Sequence, residues 1–164
     1  MRQVKIILLS LAILSGIIIL FAAAIPSTAK VSKAININAS RTAIVHTLSN
    51  LHTWKYWYPY LTKTDSSTIL INQTGKNLQL NNFYFKVTSA TDSSVQFEAS
   101  IDQKNAMESV VNVYTIGDSC IVNWYSTIHV QWYPWEKFRT LFFENIHGPS
   151  LDSNLVALKQ YIEK

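Results

Sequence analysis

Hydrophobic positions are unevenly distributed along this chain. Ile6 to Ile25 is an unbroken run of twenty residues without a charge or a proline, diluted only by Ser10, Ser15 and Gly16. A helix of that length reaches about 30 Å, the thickness of a bilayer's hydrocarbon core. Arg2 and Lys5 precede the run, and Pro26-Ser27 ends it. A cleavable signal peptide shares this character, and Ala22-Ala23-Ala24 resembles a small-residue cleavage site. The run nevertheless exceeds the roughly 7–15 apolar residues of an ordinary signal core. A single-pass anchor through residues 6–25 is therefore expected. Positive charge ahead of the run places the N-terminus in the cytoplasm and the rest of the chain outside it. Lys30 and Lys33 blunt that asymmetry, so a cytoplasmic domain and a secreted, cleaved form remain the alternatives.

After a short polar linker the pattern changes. Val31 to Asn38 alternates with period two, which predicts a strand. Ser40 to Asn50 places Ile44, Val45, Leu48 and Leu51 near helical spacing. A second helical segment, Leu51 to Tyr60, carries Trp54, Tyr56, Trp57, Tyr58 and Tyr60 and is expected to stop at Pro59. Strands are then predicted over Thr68–Asn72, Asn77–Leu80, Phe83–Ala90, Val95–Ile101, Met107–Ile116 and Ser119–Trp132. Gly75-Lys76, Asn81-Asn82, Asp92-Ser93, Asp102–Asn105 and Gly117-Asp118 separate them. Pro134 to Lys164 reads as helix, interrupted or kinked at Gly148-Pro149, with Leu151, Leu155, Leu158 and Ile162 as one apolar stripe.

The pattern also fixes strand register. A two-residue loop at Gly117-Asp118 pairs Thr115 with Cys120, Val113 with Val122, Val111 with Trp124, Ser109 with Ser126 and Met107 with Ile128. A slip by one residue would turn every side chain over. Placing Val87 beside Phe97 and Phe85 beside Ala99 demands an odd-numbered loop, such as Thr91-Asp92-Ser93. The predicted fold class is α+β: a curved antiparallel sheet whose apolar face is covered by a long C-terminal helix. Residues 1–29 form the anchor and linker, and residues 30–164 form one domain.

Composition narrows the function. Of 164 residues, 48% are apolar, 12% aromatic and only 15% charged, so the chain buries enough surface to fold. The net charge of +4 is scattered, without a Lys/Arg run, and does not point to nucleic acid. Cys120 is the sole cysteine, so neither an internal disulfide nor a zinc ribbon is available. His46, His52, His129 and His147 show no metal-ligand spacing, and a surface or structural role is expected for each. Glu98 should point to solvent, and Glu136 and Glu144 should pair with Lys137 and Arg139. Cys120 is expected to be buried and inert. No catalytic residue, metal or cofactor is assigned. Trp54, Trp57 and Trp132-Tyr133-Pro134-Trp135 are read first as core packing, with a pocket rim or bilayer contact as alternatives.

Several short stretches carry a resemblance. They are Ile35-Asn36-Ile37-Asn38-Ala39, Leu48-Ser49-Asn50-Leu51, Trp54-x-x-Trp57-x-Pro59, Gly117-Asp118-Ser119-Cys120-Ile121-Val122-Asn123-Trp124, and Gly148-Pro149-Ser150-Leu151 leading to Leu155-x-x-Leu158-Lys159 and Glu163. In this order, over residues 31–164, the chain resembles the START-like, or SRPBCC, superfamily of helix-grip proteins, especially polyketide cyclase/dehydrase-like members. It departs from them in shorter middle strands and in Ser119 where threonine is usual. The resemblance implies a helix-grip fold holding a small hydrophobic molecule between sheet and last helix. The expected lining is Phe85, Val87, Phe97, Ala99, Ser109, Val111, Val113, Val122, Trp124 and Ser126 from the sheet, with Phe138, Phe142, Leu155 and Leu158 from the helix. The expected protein is thus a monomeric, membrane-anchored binding protein for a lipid-like or polyketide-like ligand. A cyclase- or hydrolase-type enzyme using the same cavity is the rival, and an envelope interaction module with a filled cavity is the third reading.

Overall fold

The computed structural model describes residues 2–65, 68–102 and 104–164. In chain order the elements are α1 (Arg2–Ala24), β1 (Thr28–Ile37), α2 (Arg41–Ser49), α3 (Leu51–Trp57), α4 (Pro59–Thr62), β2 (Ile69–Ile71), β3 (Asn77–Leu80), β4 (Phe83–Ala90), β5 (Ser94–Ile101), β6 (Lys104–Ile116), β7 (Ser119–His129), α5 (Pro134–Leu141) and α6 (Phe143–Ile162). The strands form one seven-stranded sheet in the order β1-β7-β6-β5-β4-β3-β2. Every pairing is antiparallel. The fold is α+β, with α6 laid over one face of a curved sheet.

Local chemistry explains the short helices. Ser40 caps α2 by accepting from the Ala43 N–H, and Asn50 caps α3 by accepting from His52. Pro59 does not simply stop the second helix. Tyr58 ends α3 in an extended conformation, and Pro59 opens α4, where its missing N–H costs nothing. The Leu51 N–H reaches the Gly75 carbonyl at 2.9 Å, tying α3 to the β2–β3 turn.

The β6–β7 ladder runs from Ile116–Ser119 to Glu108–Thr127 in the expected register. The expected Met107–Ile128 pair falls one step beyond it. At the β4–β5 hairpin both expected pairs form, Val87–Phe97 and Phe85–Ala99. The expected odd loop does not. Thr91 N–H bonds the Ser94 carbonyl, leaving the two-residue turn Asp92-Ser93. A bulge between Val87 and Ser89 supplies the odd residue inside the strand instead. Gln103, within the expected Asp102–Asn105 breaker, lies outside the described residues.

β7 is shorter than expected, ending at His129. The Val130 N–H still reaches the Ser27 carbonyl at 2.9 Å. Beyond it Pro26 has no N–H with which to extend the ladder. The C-terminal helices also differ from expectation. The chain breaks at Phe142, between α5 and α6, and runs unbroken through Gly148-Pro149. Packing of α6 on β1 outweighs the hydrogen bond lost at Pro149. Gly148, Leu151, Leu155 and Leu158 are buried there, and Lys33–Asp152 at 3.4 Å and Lys159 Nζ to the Asn36 carbonyl at 2.9 Å hold the edge.

Candidate functional site

Alternation along the strands points one set of side chains toward α6. Phe85, Val87, Phe97, Val111, Val113, Val122 and Trp124 are buried there with Leu155 and Leu158, and Ala99 packs at the margin. These expected lining residues therefore do come together. Phe138 and Phe142 do not, being 37% and 58% exposed. The break at Phe142 turns them outward and brings Phe143 in, 3% exposed, in their place.

The space between sheet and helices is filled by side chains from α3 and the turn after it. Trp54 meets Phe97 edge-on at 5.1 Å, and Phe97 meets Trp124 at 5.3 Å. Tyr58 closes on Trp54 at 5.0 Å and on Phe85 at 5.7 Å. A depression of about 600 Å³ lies instead on the sheet's other face, beside Leu70, Gln79, Tyr84, Lys86 and Glu98. A second, of about 690 Å³, lies against Thr47, Tyr56 and Tyr161. Neither coincides with the expected grip.

The polar groups inside the aromatic cluster are few, and all are uncharged. Ser109 Oγ and Ser126 Oγ lie 2.7 Å apart and share a hydrogen bond. Trp54 Nε1 donates to the Leu48 carbonyl at 3.1 Å. Trp57 Nε1 and Trp124 Nε1 are buried and find no acceptor among the protein's groups. Tyr58 is half-buried. Burial pushes its hydroxyl up to about 12, against a hydrogen bond with Asn154, itself only 5% exposed. At neutral pH Tyr58 is therefore a protonated donor and not a base. Neither Tyr58 nor Asn154 was expected from sequence; the available signal was a lone amide on the Leu151–Leu155–Leu158 stripe.

The other candidates lie apart. His46, His52 and His129 are exposed, and His129 Nδ1 sits 3.2 Å from Thr28 Oγ1. His147 stacks on Phe143 at 4.5 Å, and burial, with Arg139 nearby, holds it below the ordinary imidazole value. Cys120 is buried beside Thr115. Glu98 is half-buried between Lys86 and Glu108 on the outer face of the sheet. The expected ion pairs along α5 are replaced by other contacts. Glu136 accepts from the Gln131 N–H at 2.6 Å, and Lys137 Nζ donates to the Ile25 carbonyl at 2.7 Å. Trp54 and Trp57 are core, whereas Trp132 and Trp135 are 66% and 65% exposed.

A curved antiparallel sheet gripping a C-terminal helix around an aromatic interior defines the START-like helix-grip fold, and this chain has it. Solved structures agree. Norcoclaurine synthase from Thalictrum flavum, in complex with dopamine and hydroxybenzaldehyde, matches at TM-score 0.59 and 13% identity, over 86% of this chain and 89% of that one. A START superfamily protein from Mycobacterium smegmatis matches at TM-score 0.54 and 18% identity, over 82% and 97%. XoxI from Bacillus cereus matches at TM-score 0.57 and 17% identity, over 83% and 96%. No protein-family model matches the sequence, and no curated protein matches it significantly. α1 is long and apolar enough to cross a membrane, as a signal sequence also is.

Proposed function

We propose that this domain binds a small, flat, largely apolar molecule carrying at least one hydrogen-bond acceptor, in the aromatic interior between the sheet and α6. The observation that carries this reading is the pair of buried indole N–H groups, Trp57 Nε1 and Trp124 Nε1, without acceptors. A buried donor left unpaired costs about 1–3 kcal/mol, and native proteins seldom retain one without a use. An acceptor on a ligand that displaces Trp54 or Tyr58 would recover that energy. Tyr58 and Asn154 supply a further donor and acceptor within the same shell. Nothing charged is buried there among the described residues, so binding rather than acid–base catalysis fits the site. We further propose that α1 anchors the protein as a single span, with Arg2 and Lys5 in the cytoplasm and the domain outside it. The filled interior favours a second reading, an envelope interaction module without a ligand.

Indole N–H resonances test the first reading. Hydroxybenzaldehyde, which a structural neighbour holds, and a medium-chain fatty acid are suitable probes. The Trp57 and Trp124 indole protons should shift downfield on titration, with an affinity insensitive to salt. Binding that leaves both signals in place, or shifts only those of Trp132 and Trp135, would rule the interior out as the site.

A further inference from the structure

Six exposed aromatic and aliphatic side chains fall within one short stretch of the chain. Trp132, Trp135, Phe138, Leu141, Phe142 and Ile146 are 37% to 66% exposed. They follow one another through the turn before α5, α5 itself and the first turn of α6. Within α5, Trp135, Phe138 and Leu141 recur at three-residue spacing, which sets them on one side of that helix, and Phe142 and Ile146 follow at the break and in the first turn of α6. The opposite face is fixed to the domain by buried Thr140 and Phe143.

That helix is also fastened to the end of α1. Lys137 Nζ donates to the Ile25 carbonyl at 2.7 Å, and Thr140 Oγ1 donates to the Pro26 carbonyl at 3.5 Å. α1 and α5 touch directly, and Ala22, near the end of α1, is only 2% exposed. α5 is therefore held at the end of α1, where the apolar run of that helix stops. Tyr133 and Trp135 stack at 5.0 Å with 6° between their planes, and Trp132 packs on Tyr133 at 5.1 Å. Tryptophan and tyrosine concentrate where a span leaves the hydrocarbon. Short amphipathic helices lie in the interface plane with their apolar faces in the acyl boundary. Arg139, exposed on α5, is available to a phosphate headgroup.

We propose that α5 and its flanking turns lie in the headgroup layer of the bilayer that holds α1, with the six residues named above in lipid. This rests on the anchor reading, and it adds that the domain is laid against the membrane rather than suspended from a flexible stalk.

The test uses the full chain in vesicles of phosphatidylcholine and phosphatidylglycerol with brominated acyl chains. Insertion of α1 is read separately, by resistance to carbonate extraction. Trp54, Trp57 and Trp124 are buried in the domain, and α1 has no tryptophan, so quenching by bromine reports Trp132 and Trp135. The expected result is carbonate resistance with strong quenching that falls several-fold in Trp132→Phe/Trp135→Phe. A second variant, Leu141→Lys/Phe142→Lys, keeps the reporters and should lose at least half of the quenching while remaining carbonate-resistant. Carbonate resistance without quenching, or with a second copy or another protein crosslinked to this face instead, would overturn the interfacial helix and leave the anchor standing. Carbonate extraction with no quenching would overturn both.

Discussion

Tyr58 is a phenol whose hydroxyl is withheld from water. Its proton is held up to about 12 in the folded protein, against 10.0 for an ordinary tyrosine. The stabilisation this represents is complete below pH 10 and is lost as the pH climbs through 12, an effect of about 2–3 kcal/mol by linkage. Unfolding measured along an alkaline series should show that loss, and Tyr58→Phe should remove it. At neutral pH the same substitution should destabilise by about 1–3 kcal/mol, because it strips a partner from buried Asn154. The serine pair makes a second residue-level prediction. Ser109 and Ser126 satisfy each other at 2.7 Å. Either Ser109→Ala or Ser126→Ala alone orphans a buried hydroxyl and should cost about 1–3 kcal/mol, whereas the double substitution should come close to neutral. Equal, additive losses in a denaturant series would show that the hydroxyls have other partners.

Among the elements, the docking of α3 on the β2–β3 turn depends on one backbone position. Gly75 has a φ of +67°, and a Cβ there would sit 2.6 Å from Asn50 Oδ1, the atom that caps α3. Gly75→Ala should lower stability by about 2–3 kcal/mol, combining left-handed strain with a displaced cap, as read from the urea midpoint. An unchanged midpoint would mean that α3 is not held this way. The same level shows what was legible in the sequence. The β6–β7 register was readable because a Gly-Asp turn and strict alternation both specify it. The bulge at Thr88 was not, since an exposed threonine before Ser89 looks like any other polar strand position. The C-terminal break was misplaced for a related reason. Gly148-Pro149 carries the local signature of an interruption, while Phe142 carries none, and burial against β1 decided between them. Phe138 and Phe142, which the helical spacing alone directs inward, therefore lie outside the interior. Tyr58 and Asn154 meet only through the tertiary fold, across nearly a hundred residues of sequence, so no local pattern joins them.

Taken as a whole, the molecule consists of an apolar helix and a helix-grip domain whose interior is aromatic, uncharged and filled. The sheet face was legible because alternation fixes which side chains share it. The filling was not, because the depth to which Trp54 and Tyr58 enter depends on how α3 docks. On the proposed reading this interior accommodates a ligand, with Trp54 or Tyr58 yielding to it and the free indole N–H groups of Trp57 and Trp124 receiving it. Native mass spectrometry of the full chain, kept in mild detergent and stripped of it in the gas phase, is the decisive measurement. The expected result is a stoichiometric small molecule that remains bound to the wild-type chain and is lost from a folded Tyr58→Phe/Trp124→Phe variant. A wild-type chain that carries only its own mass, or a bound molecule that the variant retains undiminished, would contradict that reading.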